Sequence, residues 1–184
     1  MDQIDLANVT TAQMRASIIL GLVLLSKGYY QEALPWLRLA NQSMNNVMFV
    51  NRHPLYGLYF PAYQEIFYGR GMGLLALGTN LLILDPGSKE GLEMFDHAYE
   101  YFSAMGYQAG NIIAGTFKAH SYFLAKDYQR AVKQTENTLE LAEKTENLTN
   151  IWQLKLLKGE SLLKLGHQDI AEKSLRHAQS IVDL

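Results

Sequence analysis

Three stretches of this chain align without gaps: GLEMFDHAYEYF from Gly91, AVKQTENTLELA from Ala131 and AEKSLRHAQSIV from Ala171. The small residues that open them, Gly91, Ala131 and Ala171, are spaced forty and forty. Phe95, Thr135 and Leu175 follow four places later, and Ala98, Thr138 and Ala178 three places after those. A fourth copy, ALPWLRLANQSM, starts at Ala33 and sets Leu37 and Ala40 in the same slots. It precedes Gly91 by one such period and eighteen places more. Apolar residues recurring at three and four places describe one face of a helix. Self-similarity at such a period describes an array whose units bury their faces by stacking on one another.

A second helix-length stretch lies upstream of each small residue. It is MRASIILGLVLLSKGYY before Ala33, IIAGTFKAHSYFLAKDY before Ala131 and WQLKLLKGESLLKLGHQ before Ala171. Each unit therefore reads helix, tight turn, helix. A small residue in each helix lets two backbones approach, and a larger apolar residue fills the space beside them. The expected helices are 9–27, 30–46, 61–84, 88–105, 108–125, 128–145, 149–165 and 168–182. Thr10-x-x-Gln13 and Asn150-x-x-Gln153 read as capping boxes opening first helices. Ser88 and Asp127 read as N-caps of second helices. Pro35 falls close to the start of its helix, where it removes one backbone bond.

Small–x₂–large–x₃–Gly–x–Tyr–x₂–Ala–x₃–large–x₂–Ala resembles the tetratricopeptide repeat. Gly21, Leu24, Gly28, Tyr30, Ala33, Leu37 and Ala40 meet it best, with Gly159, Leu162, Gly166, Ala171, Leu175 and Ala178. Thr79 and Pro86 depart from it in the second unit. The forty-residue period is similar to the longer tetratricopeptide-like units of peptide-sensing bacterial regulators. The resemblance implies an all-α fold: a right-handed superhelix of four hairpins, about eight helices, over a single domain spanning residues 1–184. The units are 9–46, 61–105, 108–145 and 149–182. It also implies a concave side lined by first helices, which puts Arg15, Ile19, Leu22, Asn80, Phe117, His120, Gln153 and Glu160 on a binding surface. That lining is mostly apolar, which suits an apolar peptide or helix. Members of the family that hold acidic tails place lysine, asparagine and arginine there. Here Ile18 and Leu22 fill the first-unit slots, so an acidic tail is not the expected ligand.

Residues 47–63, VMFVNRHPLYGLYFPAY, fall outside the repeat and concentrate aromatics among proline and glycine. They read either as a long connection covering a joint between hairpins or as a loop offering Tyr56, Tyr59 and Phe60 to a partner.

Composition bounds the rest. The chain has 184 residues, 48% apolar and 18% charged, enough for a packed core. With no cysteine, thiol catalysis, disulfides and thiolate metal sites are excluded. Sixteen basic and 18 acidic residues leave a net charge of −2, no field for nucleic acid. Residues 61–110 carry two basic and six acidic residues, a solvated face or a docking face for a basic partner. No apolar run approaches the roughly 20 residues of a membrane span. MDQIDLANVTTAQ has neither a basic nor an apolar leader region, so a cytoplasmic protein is expected. The five histidines show no metal-ligand spacing, and no metal or cofactor is expected. Gly71-x-Gly73-x-x-Ala76 half-matches a dinucleotide fingerprint but lacks the strand that fingerprint requires. No catalytic motif is present, and no enzyme is expected.

The leading expectation is a non-enzymatic scaffold that binds a protein or peptide segment in its concave groove. The alternatives are a ligand- or peptide-sensing regulatory domain of a larger protein and a self-association module, a homodimer through an open array end.

Overall fold

The computed structural model describes the backbone of residues 3–50 and 60–182, and the side chains of 12–43 and 69–182. The described residues form eight α-helices and no strand. They are α1 (Gln3–Ser26), α2 (Tyr30–Val50), α3 (Phe60–Leu84), α4 (Lys89–Ala104), α5 (Gln108–Leu124), α6 (Tyr128–Lys144), α7 (Leu148–Lys164) and α8 (Gln168–Val182). Within each unit consecutive helices pack in adjacent pairs, consistent with an all-α repeat array. The chain divides into two compact units, residues 1–101 and 102–184.

In the first unit α1 packs on α2, and α3 on both. The contacts are made where a glycine meets a large side chain. A Cβ at Gly21 would come within 2.5 Å of Leu37, and one at Gly78 within 2.8 Å of both the Gly91 carbonyl and the Phe95 ring. The glycine-dense stretch 69–78 is helical throughout, so the dinucleotide fingerprint has no strand to follow. Pro35 lies in the second turn of α2, and the helix runs on to Val50.

In the second unit α5 packs on α6 and α7, α6 on α7, and α7 on α8. Ile112, Leu139, Ala142, Ile151 and Leu154 form its core. Gly159 faces Leu175 as Gly21 faces Leu37, with the same 2.5 Å clearance. The corresponding slots of the middle hairpin hold Ala119 and the shorter Thr135, both fully buried. A larger first partner goes with a smaller second one, as close packing at constant volume demands.

The joints carry a period the residue types do not disclose. Gly28, Gly106, Lys126, Glu146 and Gly166 all have left-handed φ, and the last four recur at every half period of the repeat. At each, the next residue's N–H donates to the carbonyl five places back, at 2.8–3.0 Å, and the left-handed residue's own N–H to the one three places back. This pair of bonds is the Schellman motif. The residue after it is at once the cap of the next helix. Joints within and between hairpins are thus the same three-residue device. The α3–α4 joint differs: Pro86 cannot adopt positive φ, and Asp85–Ser88 take four residues, with the Gly87 N–H on Asp85 Oδ1.

Two helix starts fall elsewhere than the capping boxes suggest. α1 begins at Gln3, which leaves Thr10 inside the helix. α7 begins at Leu148 under Asn147, whose Oδ1 accepts from the Asn150 N–H at 3.2 Å. Asn150 is a helical residue, and the half-period joint places the cap three residues earlier. Ser88 and Asp127 do cap, accepting from the Gly91 and Arg130 N–H groups at 3.1 Å. The stretch 47–63 is helical at both ends, through Val50 and from Phe60.

Candidate functional site

In the second unit α5 and α7 present large apolar side chains to solvent. On α5 these are Phe117, 40% exposed, and Leu124, 63% exposed. On α7 they are Leu156, 37%, and Leu163, 47%, with Leu148, 53%, at the start of the helix. The members of each pair are two helical turns apart, or about 10 Å along one stripe. His120 and Glu160 sit between the members of the two pairs, and both are exposed. They are close enough for the Glu160 carboxylate to act on the His120 imidazole.

The scaffold under this face is fixed. Gly115 lets α5 lie against Thr138 of α6, where a Cβ would come within 2.9 Å of the threonine methyl. Lys155 Nζ reaches Glu143 at 2.9 Å and Lys158 Nζ reaches Glu136 at 2.7 Å, two bridges between α7 and α6. Ser174 Oγ donates to the Lys155 carbonyl at 2.8 Å and ties α8 to α7. The hydroxyls beneath the face donate within their own helices: Thr116 to Ile112, Ser121 to Phe117, and Ser161 to Leu157, at 2.7–2.8 Å. They have no donor left to offer a ligand, so His120, Glu160 and half-buried Gln153 supply the polar groups of the face.

Desolvation holds the His120 imidazole below the usual histidine range, and the negative charge of Glu160 opposes that shift. At neutral pH the imidazole is uncharged. It can then donate or accept a hydrogen bond but does not neutralise Glu160.

The residues expected on a binding surface therefore divide. Phe117, His120, Gln153 and Glu160 come together on α5 and α7. Arg15, Ile19 and Leu22 form an exposed stripe on α1, in the other unit, with Ile19 62% exposed. Asn80 faces no solvent. It is fully buried on α3, and its Nδ2 donates to the Tyr30 carbonyl at 3.0 Å, tying α3 to the first turn of α2. That bond makes it a fastening between the two helices, while its buried Oδ1 accepts no hydrogen bond. Tyr56 and Tyr59 lie outside the described residues, as does the side chain of Phe60, whose backbone opens α3. The sequence reading does not reach Leu124 and Leu163. They sit two turns beyond Phe117 and Leu156, and extending each stripe by that much finds them.

A concavity of about 390 Å³, open to solvent, lies away from this face at the α5–α6 joint, between Ala125–Gln129 and Leu165. Its one carboxylate, Asp127, is taken by the Arg130 N–H and guanidinium. Among the described residues no group of three or more histidine, aspartate or glutamate side chains could hold a metal ion, and no helix is long and apolar enough to cross a membrane. In comparisons with known proteins no family model matches this chain, and no curated protein does.

Proposed function

We propose that this chain is a non-enzymatic helical-repeat scaffold of the cytoplasm, and that it binds an amphipathic helical segment of another protein on the exposed face of α5 and α7. One observation carries the reading. Phe117 and Leu124 on one helix, and Leu156 and Leu163 on its neighbour, stay in water at two-turn spacing on a framework tied together by ion pairs and close packing. Apolar residues two turns apart match the i and i+7 anchors of an amphipathic helix laid into a groove. The resemblance to tetratricopeptide repeats, whose first helices line a ligand surface, supports the same side.

The test uses the full chain and a display library of short helix-forming peptides with an apolar stripe. Peptides enriched on the wild type lose affinity for a Leu124→Ser, Leu163→Ser double variant whose melting temperature stays within a few degrees of the parent. Equal affinity for the variant would move the ligand elsewhere.

A second reading rests on α1. Its exposed Ile19, Leu20, Leu22 and Val23 suit self-association through this helix, where the described helices leave them uncovered.

A further inference from the structure

Five of the eight described carboxylates of the second unit form ion pairs. On α6, Glu136 pairs with Lys158 at 2.7 Å, Glu140 with Lys144 at 2.8 Å and Glu143 with Lys155 at 2.9 Å. On α8, Glu172 pairs with Arg176, and at the α5–α6 joint Asp127 pairs with Arg130. Glu146, Asp169 and Glu160 are left over, the first two at helix ends. Asp169 stands in the first turn of α8, where the helix dipole favours a carboxylate, and Glu146 is the left-handed residue of its joint. Glu160 has neither excuse. It lies towards the C-terminal half of α7, short of its last turn, and among the described residues it takes part in no ion pair. Lys164, one turn on, is spaced for one and does not make it. Its ionisable neighbour is His120, a group that burial keeps neutral.

Glu160 also stands where a carboxylate would do the most for a ligand. Leu156 lies one turn before it and Leu163 just short of one turn after, with Phe117 and Leu124 on the neighbouring helix. A segment seated on those four side chains excludes water from around the carboxylate. In such surroundings a charge pair is several-fold stronger than in bulk water, and a carboxylate left unpaired is costly. An all-apolar segment would impose that cost. A segment with one cation at this point turns it into a contact, as electrostatic complementarity usually selects a partner.

We infer that Glu160 sets the specificity of this face: it selects, among amphipathic segments, those that carry a single lysine or arginine within their apolar stripe. This rests on the docking reading above. The occupant is a segment of another protein, apolar along one side and basic at one point of it.

The closing experiment selects from the same peptide library, its stripe positions randomised among leucine, alanine, serine, lysine, arginine, glutamine and glutamate. Wild type and Glu160→Gln serve as baits, both confirmed folded by circular dichroism. Wild-type selections should converge on one lysine or arginine inside the stripe. Glu160→Gln should lose that preference and bind the winning peptides about tenfold more weakly. Glu160→Lys should prefer glutamate at the same position. A wild type that enriches apolar peptides with no basic preference, or a preference that survives Glu160→Gln, overturns the selection role and leaves the docking face standing. Enrichment of no peptide by the wild type overturns the docking face, and this inference with it.

Discussion

α1 and α3 look alike on paper and end up in opposite surroundings. Both are long, 24 and 25 residues, and both carry apolar side chains all the way round. Such helices belong in an interior. From Leu74 to Leu82, α3 meets that expectation, with every residue except Thr79 buried. α1 buries Met14, Ile18 and Gly21 and leaves Ile19, Leu20, Leu22 and Val23 at 38–62% exposure. Over these stretches the described helices cover α3 nearly all round and α1 on one side. Composition reports how much burial a helix is built for. Position in the array decides how much it receives within a single chain.

Mutation should separate the two helices sharply. Leu77→Ala on α3 removes a side chain that is 1% exposed and should cost about 3 kcal/mol, the middle of the range for a leucine cavity, read as a shift in the denaturation midpoint. Ile19→Ala, at 62% exposure, should cost no more than about 0.5 kcal/mol at low protein concentration. If Ile19→Ala costs as much as Leu77→Ala, and the cost grows with concentration, a second copy covers α1 in solution. That result would erase the contrast.

The glycines that seat α1 on α2 and α7 on α8 give the next largest effect. Gly21→Val and Gly159→Val each force a branched side chain against a leucine already 2.5 Å from the added Cβ. Each should destabilise by about 1–3 kcal/mol, plus a smaller helix-propensity term. The two losses should be close to equal, because Leu37 follows Gly21 at the same separation as Leu175 follows Gly159. A loss at one and not the other would mean that the two units do not share one packing rule.

These slots are legible in the sequence. The aligned small and large residues at Ala33, Leu37 and Ala40, at Phe95 and Ala98, and at Ala171 and Ala178 are buried. The helix limits agree to within a few residues except at the start of α1, which begins well before residue 9. What stays hidden has a physical cause in each case. The half-period joint is a backbone pattern. Lys126 and Glu146 occupy left-handed positions that sequence convention assigns to glycine, so residue type conceals them. Asn80 is at an inward position of a first helix, but whether such a position faces a groove or a neighbouring backbone depends on helix rotation, which a repeat alignment does not fix. Leu124 and Leu163 lie at helix ends, beyond the span in which a central groove is sought.

The joints offer a smaller, two-way test. Gly166→Ala should cost about 1 kcal/mol, since an L side chain is strained at φ 84°. Lys126→Gly should do the reverse at the equivalent joint, with a gain of up to about 1 kcal/mol set against the greater freedom of glycine in the unfolded chain. Thermal melts of the two variants should move in opposite directions. Movement in the same direction would break the equivalence of the joints within and between hairpins.

The smallest effect probes the face of α5 and α7. The folded-state pKa of His120 lies below its ordinary value of 6.5, because desolvation outweighs the pull of Glu160. Above that value the imidazole is neutral in both folded and unfolded chains and contributes no pH dependence. As the pH falls through it, the unfolded chain takes the proton first, so the folded state loses stability until the pH passes the folded-state pKa. His120→Gln should flatten that part of the melting-temperature profile. Glu160→Gln should act on the histidine in the opposite sense to acid: with the carboxylate charge gone, desolvation acts unopposed, and the imidazole resonance followed by NMR should titrate lower still. If it titrates higher, Glu160 does not face His120, and the two residues do not share the surface on which a basic amphipathic segment is proposed to dock.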